Sequence, residues 1–453
     1  VLPYSDDVES ALLYLLGVVI VLVGLMISIG LHEVGHLVPA KLFGVRVGQY
    51  MIGFGPTVFS KRFGETQYGF KLFPLGGYIS MAGMFPPAKP GAKPRTASTG
   101  FFDTLVQDAR TSAHEGIPAG QEHRTFYRLA VPKRIVIMLG GPVMNLVLAF
   151  VFFAIVLVGF GVPQISTTVG AVNECIVPAN SGQTECAAGD TASPAAEAGL
   201  RAGDRILSIG GQEITGYAQS SAIITAAAGE PLEVVVLRDG AETTLEVTPL
   251  LTPRPVVGDD GEYLLDADGQ YVTKDVGFIG IVYAMQNVPQ PITAVPGYVL
   301  DAAGRIGHSI VTLPVRVYEL GQSTFGGTER DPEGIIGVVG IGRLAGEITS
   351  LDTLPVADRA SSLIGLLGGL NLALFLFNLV PLLPLDGGHV AGALWEAIRR
   401  GFAKLFRRPD PGPVDVAKLI PLTMAISGVL AVLTVFVIFS DIVNPISLFS
   451  GTP

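Results

Sequence analysis

The 453-residue chain carries little charge. Only 15% of its residues are Asp, Glu, Lys or Arg, where soluble domains carry about 25%. With a mean hydropathy of +0.52, this composition excludes an ordinary soluble protein and points to a membrane protein. Basic residues are scarce too: 29 Lys and Arg face 39 Asp and Glu. That leaves no basic surplus for nucleic acid, which is not expected as a partner. Cysteine occurs only at Cys175 and Cys186. Both lie within residues 162–359, the acid-rich segment that reads as extracytoplasmic, and no cysteine lies elsewhere, so a disulfide is expected there, with no catalytic part. Histidine occurs six times. In a chain so poor in it, a His-Glu-x-x-His pattern arises by chance in roughly one case in a hundred. No internal repeat stands out.

What is abundant is apolar sequence. Ala11–Leu31, Ile135–Phe160, Leu363–Leu383 and Leu419–Phe439 are each long enough to span a bilayer. The first is too long for a signal-peptide core and lacks a basic segment before it, so it reads as a span. Charge between the spans sets the orientation. Residues 41–134 hold 13 Lys and Arg against 5 acids, and residues 387–418 hold 6 against 3. Residues 162–359 hold 10 against 25, and the first ten residues have three acids and no base. By the positive-inside rule both termini and 162–359 are extracytoplasmic, while 41–134 and 387–418 are cytoplasmic. The expected location is the inner or plasma membrane.

His32-Glu33-Val34-Gly35-His36 follows the first apolar run. Histidines at i and i+4 share a helix face, so both imidazoles can reach one zinc ion. The glutamate beside the first can act as base on zinc-bound water. Ionisable residues at a span are costly and suggest function. A catalytic zinc needs a third protein ligand. Candidates end the third span, in Asn378-Leu379-Val380-Pro381-Leu382-Leu383-Pro384-Leu385-Asp386-Gly387-Gly388-His389. Asp386 is favoured, an acid at the same membrane depth as the two histidines, with His389 as the alternative. One Zn2+ per chain is expected.

The first span and its motif run over 11–42, the second span over 135–161, the third with its motif over 360–388 and the fourth over 417–441. Between them, 43–80 reads as strands at Gln49–Phe54, Thr57–Ser60 and Tyr68–Phe73, punctuated by glycine. Residues 81–134 read as a cytoplasmic loop, Pro/Ala/Lys-rich from Met84 to Gly100 and partly helical from Asp103 to Arg128. Residues 389–416 read as a second loop. In 164–252, Ala198-Gly199-Leu200 leads to Gly203-Asp204-Arg205-Ile206 and Ile209-Gly210-Gly211, then a helix at Ala218–Ala228 and two strands. This order resembles a PDZ domain. Residues 253–290 read as a β-hairpin extension with turns at Asp259-Asp260-Gly261 and Asp266–Gly269. Residues 291–355 read as an amphipathic membrane-surface region, with a helix at Tyr298–Leu320.

The two motifs and the PDZ-like segment between spans two and three resemble the site-2 protease family of intramembrane zinc metalloproteases, peptidase family M50. The order of parts is similar to the regulator-of-sigma-E type with a single PDZ domain, in its actinobacterial branch. The resemblance implies a polytopic α-helical membrane protein of four transmembrane helices. It adds a cytoplasmic-side membrane-reentrant β-hairpin and an extracytoplasmic PDZ-like α+β domain. It implies zinc on His32, His36 and Asp386, with Glu33 as general base. It also suggests an oxyanion or substrate contact for Asn378, beside the alternative of an interhelical hydrogen bond, and the same two readings for Asn145, after Gly140-Gly141-Pro142 in the second span, with packing favoured. Gly53, Gly55, Gly76, Gly77 and Tyr78 would belong to the hairpin that holds an extended substrate. The implied substrates are single-span membrane proteins, cut within or near their transmembrane segment. Anti-sigma factors after a first extracytoplasmic cut, or remnant signal peptides, would serve in transmembrane signalling. Two other classes compete: a membrane-bound PDZ adaptor with a vestigial metal site, and a metal transporter. The intact His32, Glu33, His36 and Asp386 set opposes the first. The near absence of polar residues in spans two and four opposes the second.

Overall fold

The computed structural model describes residues 4–86, 106, 117, 120–177, 183, 186, 187, 189–258, 263–266, 269–327, 330, 331 and 334–446. Most of the loop expected over 84–128 therefore lies outside the described residues, as do the turn at 259–261 and part of that at 266–269. The chain forms two units, one from residues 1–160 and 291–453, the other from residues 161–290.

The first unit opens with helix α1, Tyr4–Leu42, 39 residues long. At about 1.5 Å per residue it is nearly twice as long as a hydrocarbon core is thick. Gly44, at φ 78°, ends it. Strands β1 (Val47–Phe63) and β2 (Thr66–Met81) come next as an antiparallel hairpin that closes at Phe63↔Thr66. The register breaks at Gly53, Gly55 and Gly76, all at positive φ. Gln49–Ile52 consequently borders both Gln67–Phe70 and Gly77–Ser80. The base of the hairpin is buried with Leu37, Ala40 and Ile137 through Val45, Val47 and Met81. Away from that base, Phe54, Phe59, Phe63, Phe70 and Phe73 stay exposed. Two short 3-10 turns, Glu122–Arg124 and Phe126–Arg128, lead into α2, Val131–Ala154, which continues as a π-helical turn to Phe160.

The second unit is one mixed-length sheet with a small helix and a side hairpin. Its strands are β3 (Val162–Val172), β4 (Arg205–Ile209), β5 (Gln212–Glu213), β6 (Leu232–Arg238) and β7 (Ala241–Val247), then β8 (Leu250–Pro255), β9 (Thr273–Phe278) and β10 (Ile281–Val288). Helix α3 (Pro194–Glu197) is one turn and α4 spans Tyr217–Ala226. The main sheet runs β10-β3-β4-β6-β7, with β5 on β4, and β8 pairs β9 separately. Residues 253–290 are thus not one hairpin extension. β10 pairs β3 from Val288↔Val162 to Ile281↔Val172, because its alternating Ile281 and Tyr283 pack on the core of that sheet. Val169, Ile206, Ile209, Val234, Val236 and Ile279 form the core. Cys175 and Cys186 are disulfide-bonded, with Cα atoms 5.9 Å apart.

The chain returns to the first unit in α5 (Val295–Val311) and α6 (Leu313–Gly326). The single helix expected at Tyr298–Leu320 is therefore two, broken where Pro314 withholds a backbone donor. Helix α7, Val338–Ser350, is a second departure from the surface reading of 291–355. It packs against α1 through Gly342, Ala345 and Gly346, which are buried, and Thr349 donates to the Leu13 carbonyl at 2.8 Å. Small residues let helix backbones approach in this way. Its first amides, Gly337 and Gly340, donate to Asp441, each at 2.9 Å, an acid cap supplied by another helix. Helix α8, Val356–Asn378, stops at Asn378 and not at Leu383, since Pro381 and Pro384 prevent its continuation. Asp386 then opens α9, Asp386–Leu405, a 20-residue helix where the sequence reading has a loop. Helix α10, Ile420–Val443, ends the unit. Among the described residues four segments are long and apolar enough to cross a membrane: Val8–Leu42, Val131–Phe160, Val356–Asn378 and Val416–Val443. The chain is a polytopic helical membrane protein.

One ion pair anchors the second unit. Asp204 is buried and accepts from Arg238 Nε and Nη2, both at 2.7 Å, and from the Arg201 amide at 2.8 Å. The Arg238 hydrogen bonds hold the Asp204 carboxyl below its usual range. A depressed acid stabilises the fold above its unfolded pKa, near 3.9, and that contribution fades as pH falls through the folded value. Asp204→Asn is expected to lower hydrogen-exchange protection of residues 205–238 by about 2 kcal/mol at neutral pH. The gap to the native protein should narrow below about pH 4. Equal protection at pH 7 would show that the pair adds no stability.

Candidate metal centre

The site begins where α1 and α2 cross. A Cβ on Gly35 would run into the Gly140 carbonyl, and one on Gly140 into that of Gly35. Only glycine at both positions lets the two backbones touch. The crossing carries the face of α1 that bears His32 and His36 onto Gly141. A Cβ at Gly141 would overlap both imidazoles. The sequence reading named this glycine pair only as a flank of Asn145.

The neighbouring groups orient both rings. His36 Nδ1 donates to the Ile137 carbonyl at 2.7 Å, so its Nε2 carries the lone pair. His32 Nδ1 lies 3.2 Å from the Asn145 side-chain amide. Asn145 is buried and its Oδ1 has no partner among the described residues. A half-turn of the amide puts that oxygen on an Nδ1–H and frees His32 Nε2 as a ligand. Asn145 thus touches the site, against the packing role favoured from sequence. Its signal there was position alone, four residues after Gly141.

Asp386 arrives from the other side. The break after α8 reverses the chain, and Gly387 and Gly388 lie against the backbone of Leu379–Leu383, where a Cβ would not fit. This places Asp386 Oδ2 at 3.4 Å from His32 Nε2 and 3.3 Å from His36 Nε2. The two Nε2 atoms are 3.2 Å apart. A tetrahedral ion with bonds of about 2.0–2.1 Å sets its ligand atoms roughly 3.3–3.4 Å apart. The observed triangle has that size. Among the described residues Asp386 Oδ2 is buried without a hydrogen-bond donor, so a cation would complete it. Two imidazoles and a carboxylate suit zinc. His389 lines the same cavity but is outside this triad.

That cavity, of about 320 Å³, is lined by Glu33, Gly77, Tyr78, Ile79, Asn378 and the triad. Glu33 is buried, with Ile79 beside it in the cavity wall. Gly77 lies against the Glu33 side chain, where a Cβ would sit 3.0 Å from Cγ. On its other edge the same strand pairs β1, through Tyr78↔Met51 and Gly77↔Ile52. Gly77, Tyr78 and Ile79 all line the cavity along this strand. Gly53 and Gly55 do not line it. They sit at the register break of β1, where a Cβ on Gly53 would run into the Phe73 carbonyl. Cys175 and Cys186 belong to the second unit.

Comparison with known proteins agrees with this chemistry. Residues 20–407 match the family described as Peptidase family M50. The zinc metalloprotease Rip1 of Mycolicibacterium smegmatis is 31% identical over 451 residues, covering 96% of this chain and 99% of the relative. The Rip1 of Mycobacterium tuberculosis is 31% identical over 443 residues, 97% of this chain and 100% of its own. The metalloprotease MmpA of Caulobacter vibrioides is 28% identical over 398 residues, 85% and 89% of the two chains. Matches of this extent leave one conclusion: the chain belongs to peptidase family M50, the site-2 protease family, and is a zinc metalloendopeptidase.

Proposed function

We propose that this enzyme hydrolyses a peptide bond within or near the transmembrane segment of single-span membrane proteins, using His32, His36 and Asp386 to hold one zinc ion and Glu33 as general base. The observation that carries it is the triad, whose atoms stand 3.2, 3.3 and 3.4 Å apart beside a buried glutamate at a membrane span. A bound zinc would polarise the scissile carbonyl and acidify the attacking water. Glu33 takes the proton of that water and returns it to the leaving amine nitrogen. Asn378 lines the cavity and is assigned to the carbonyl oxygen or the substrate strand. The adaptor reading leaves this intact quartet without a use. A transporter would need a polar path through spans two and four.

A transmembrane helix hides its amides in i→i−4 bonds, so it must unwind before it is cut. Its freed groups then need partners in a place without water. We assign that role to the β2 edge at Gly77–Ile79, which faces the cavity. The exposed phenylalanines of β1 and β2 support a hairpin that dips into the bilayer. The second unit is assigned as PDZ-like and extracytoplasmic. Its support is the fall of the glycine motif: Gly199, Gly203, Gly210 and Gly211 take positive φ around the buried Leu200, Ile206 and Ile209. Anti-sigma factors already trimmed outside, and remnant signal peptides, are the proposed substrates. Charge asymmetry supports a metal centre near the cytoplasmic face.

Glu33→Gln should keep one zinc per chain yet lose cleavage of a single-span substrate in liposomes by at least about a hundredfold. Gly141→Ala should instead lose the metal, because its methyl takes the space of the imidazoles. Turnover by Glu33→Gln near the native rate would remove the base assignment, and full zinc in Gly141→Ala would remove the triad. For the substrate strand, N-methylation of successive residues near the cut should slow cleavage about tenfold at alternate positions. A profile without that period of two would reject strand pairing. For orientation, Cys175 and Cys186 are first replaced by Ser. Arg407→Cys should then resist an impermeant thiol reagent in intact cells, and Glu242→Cys should react. The reverse pattern would invert the topology.

A further inference from the structure

Helix α9 has two faces of opposite kind. One packs on the protein: Ala393 is buried and Glu396 is fully buried. Glu396 accepts from Arg134 in the first turn of α2 and from Arg400, at 3.1 Å, and its Oε2 takes the Val414 amide at 3.0 Å. The middle of α9 is thus pinned where the second span begins and just before the fourth does. The other face carries Leu394, Trp395, Ile398, Phe402 and Leu405, all exposed. Steps of one, three, four and three residues place them on one stripe of the helix. In a soluble protein such a stripe would turn inward. Here it is turned away from the protein, and Phe406 extends it. Lys404, Arg407 and Arg408 are exposed beside it. With Glu396, Arg399, Arg400 and Lys404 along its length, α9 is too charged to cross a bilayer, and it is not among the four spanning segments.

We infer that α9 is an interfacial helix whose Leu394–Leu405 stripe lies in the acyl boundary of the leaflet joining spans three and four, with Lys404, Arg407 and Arg408 on anionic phospholipid headgroups. Three observations choose lipid as the occupant. The stripe is continuous with a chain whose spans already face lipid, because α9 hangs between the third and fourth. The basic residues match a phosphate surface in charge. An amphipathic helix with aromatic anchors and a Lys/Arg border lies in the interface plane. Only the four spans are required for this placement, whichever side of the membrane the connection faces. The element that begins with Asp386 thereby has a lipid contact of its own.

Trp395 is the chain's single tryptophan, so intrinsic fluorescence reports on this face alone. The full-length protein is reconstituted in phosphatidylcholine vesicles with and without phosphatidylglycerol, the bromine label placed on either lipid in turn. Trp395 should be quenched more by bromines high in the acyl chain than by deep ones, and little by aqueous iodide. Brominated phosphatidylglycerol should be favoured over brominated phosphatidylcholine by about fivefold or more, the weight of one surface Lys or Arg. The triple variant Lys404→Gln, Arg407→Gln and Arg408→Gln should lose that preference and keep the depth profile. Quenching by iodide with none by bromolipid would overturn the proposal. Protection from both, with cross-links between copies through this face, would assign it to a second copy of the chain instead. A preference that survives the triple variant would remove the headgroup contact.

Discussion

The contact of Gly35 with Gly140 is the constraint on which the rest of the first unit depends. Lipid offers no hydrophobic reward for bringing helices together, so packing of backbone on backbone has to do it. Two glycines with no Cβ between them bring α1 and α2 into direct contact. Everything at the metal centre uses that closeness. Ile137 presents its carbonyl to His36, Asn145 presents its amide to His32, and Gly141 leaves the volume that the rings fill. A larger residue at the crossing would move the α2 groups outward together, because they share one rigid helix. Further along α1, polar contacts add to this. Asn371 of α8 donates to Ser28 at 2.9 Å, and both are buried.

The third ligand candidate is held by a different principle. Asp386 stands at the start of a helix and is reached after a proline-broken turn, so no single helix carries all three groups. Its position depends on Gly387 and Gly388 lying against the preceding turn and on Glu396, two to three turns on, gripping Arg134. A buried Arg–Glu pair is weak evidence for stability, since desolvation offsets much of its attraction. Its directional hydrogen bonds do fix the angle at which α9 meets α2. The carboxylate is thus aimed from a distance of about 15 Å along a stiff helix.

How much of this was legible in the sequence depends on how local each signal is. The grouping of His32 with His36 is written in one turn of helix. Asp386 could be picked because an acid among Pro and Gly at the end of an apolar run has few other uses. The four spans announce themselves by length. Gly141 and the contact of Asn145 could not be read, because their meaning lies in a crossing between helices a hundred residues apart in sequence. Helix α7 was hidden by its composition: Gly, Ala and Thr make a tight membrane contact and resemble a surface segment. Helix α9 was hidden by its polarity pattern, which is reversed. Its buried face holds a glutamate and its exposed face is apolar, so a rule that turns charge outward fails on it.

The lipid surroundings also explain why the site combines a β edge with helices. Helices satisfy their own amides and so are stable in lipid, but for that reason they offer no backbone to a guest. The hairpin departs from this rule at the one place where Glu33 is available. Gly77 and Ile79 line the cavity beside Glu33, so a strand laid along this edge would bring its scissile carbonyl next to the base. On the proposed reading, holding of an unwound substrate and its presentation to the base are therefore one event. A folded transmembrane helix drifting past in the bilayer has no free amides or carbonyls to pair with that edge, and it stays uncut.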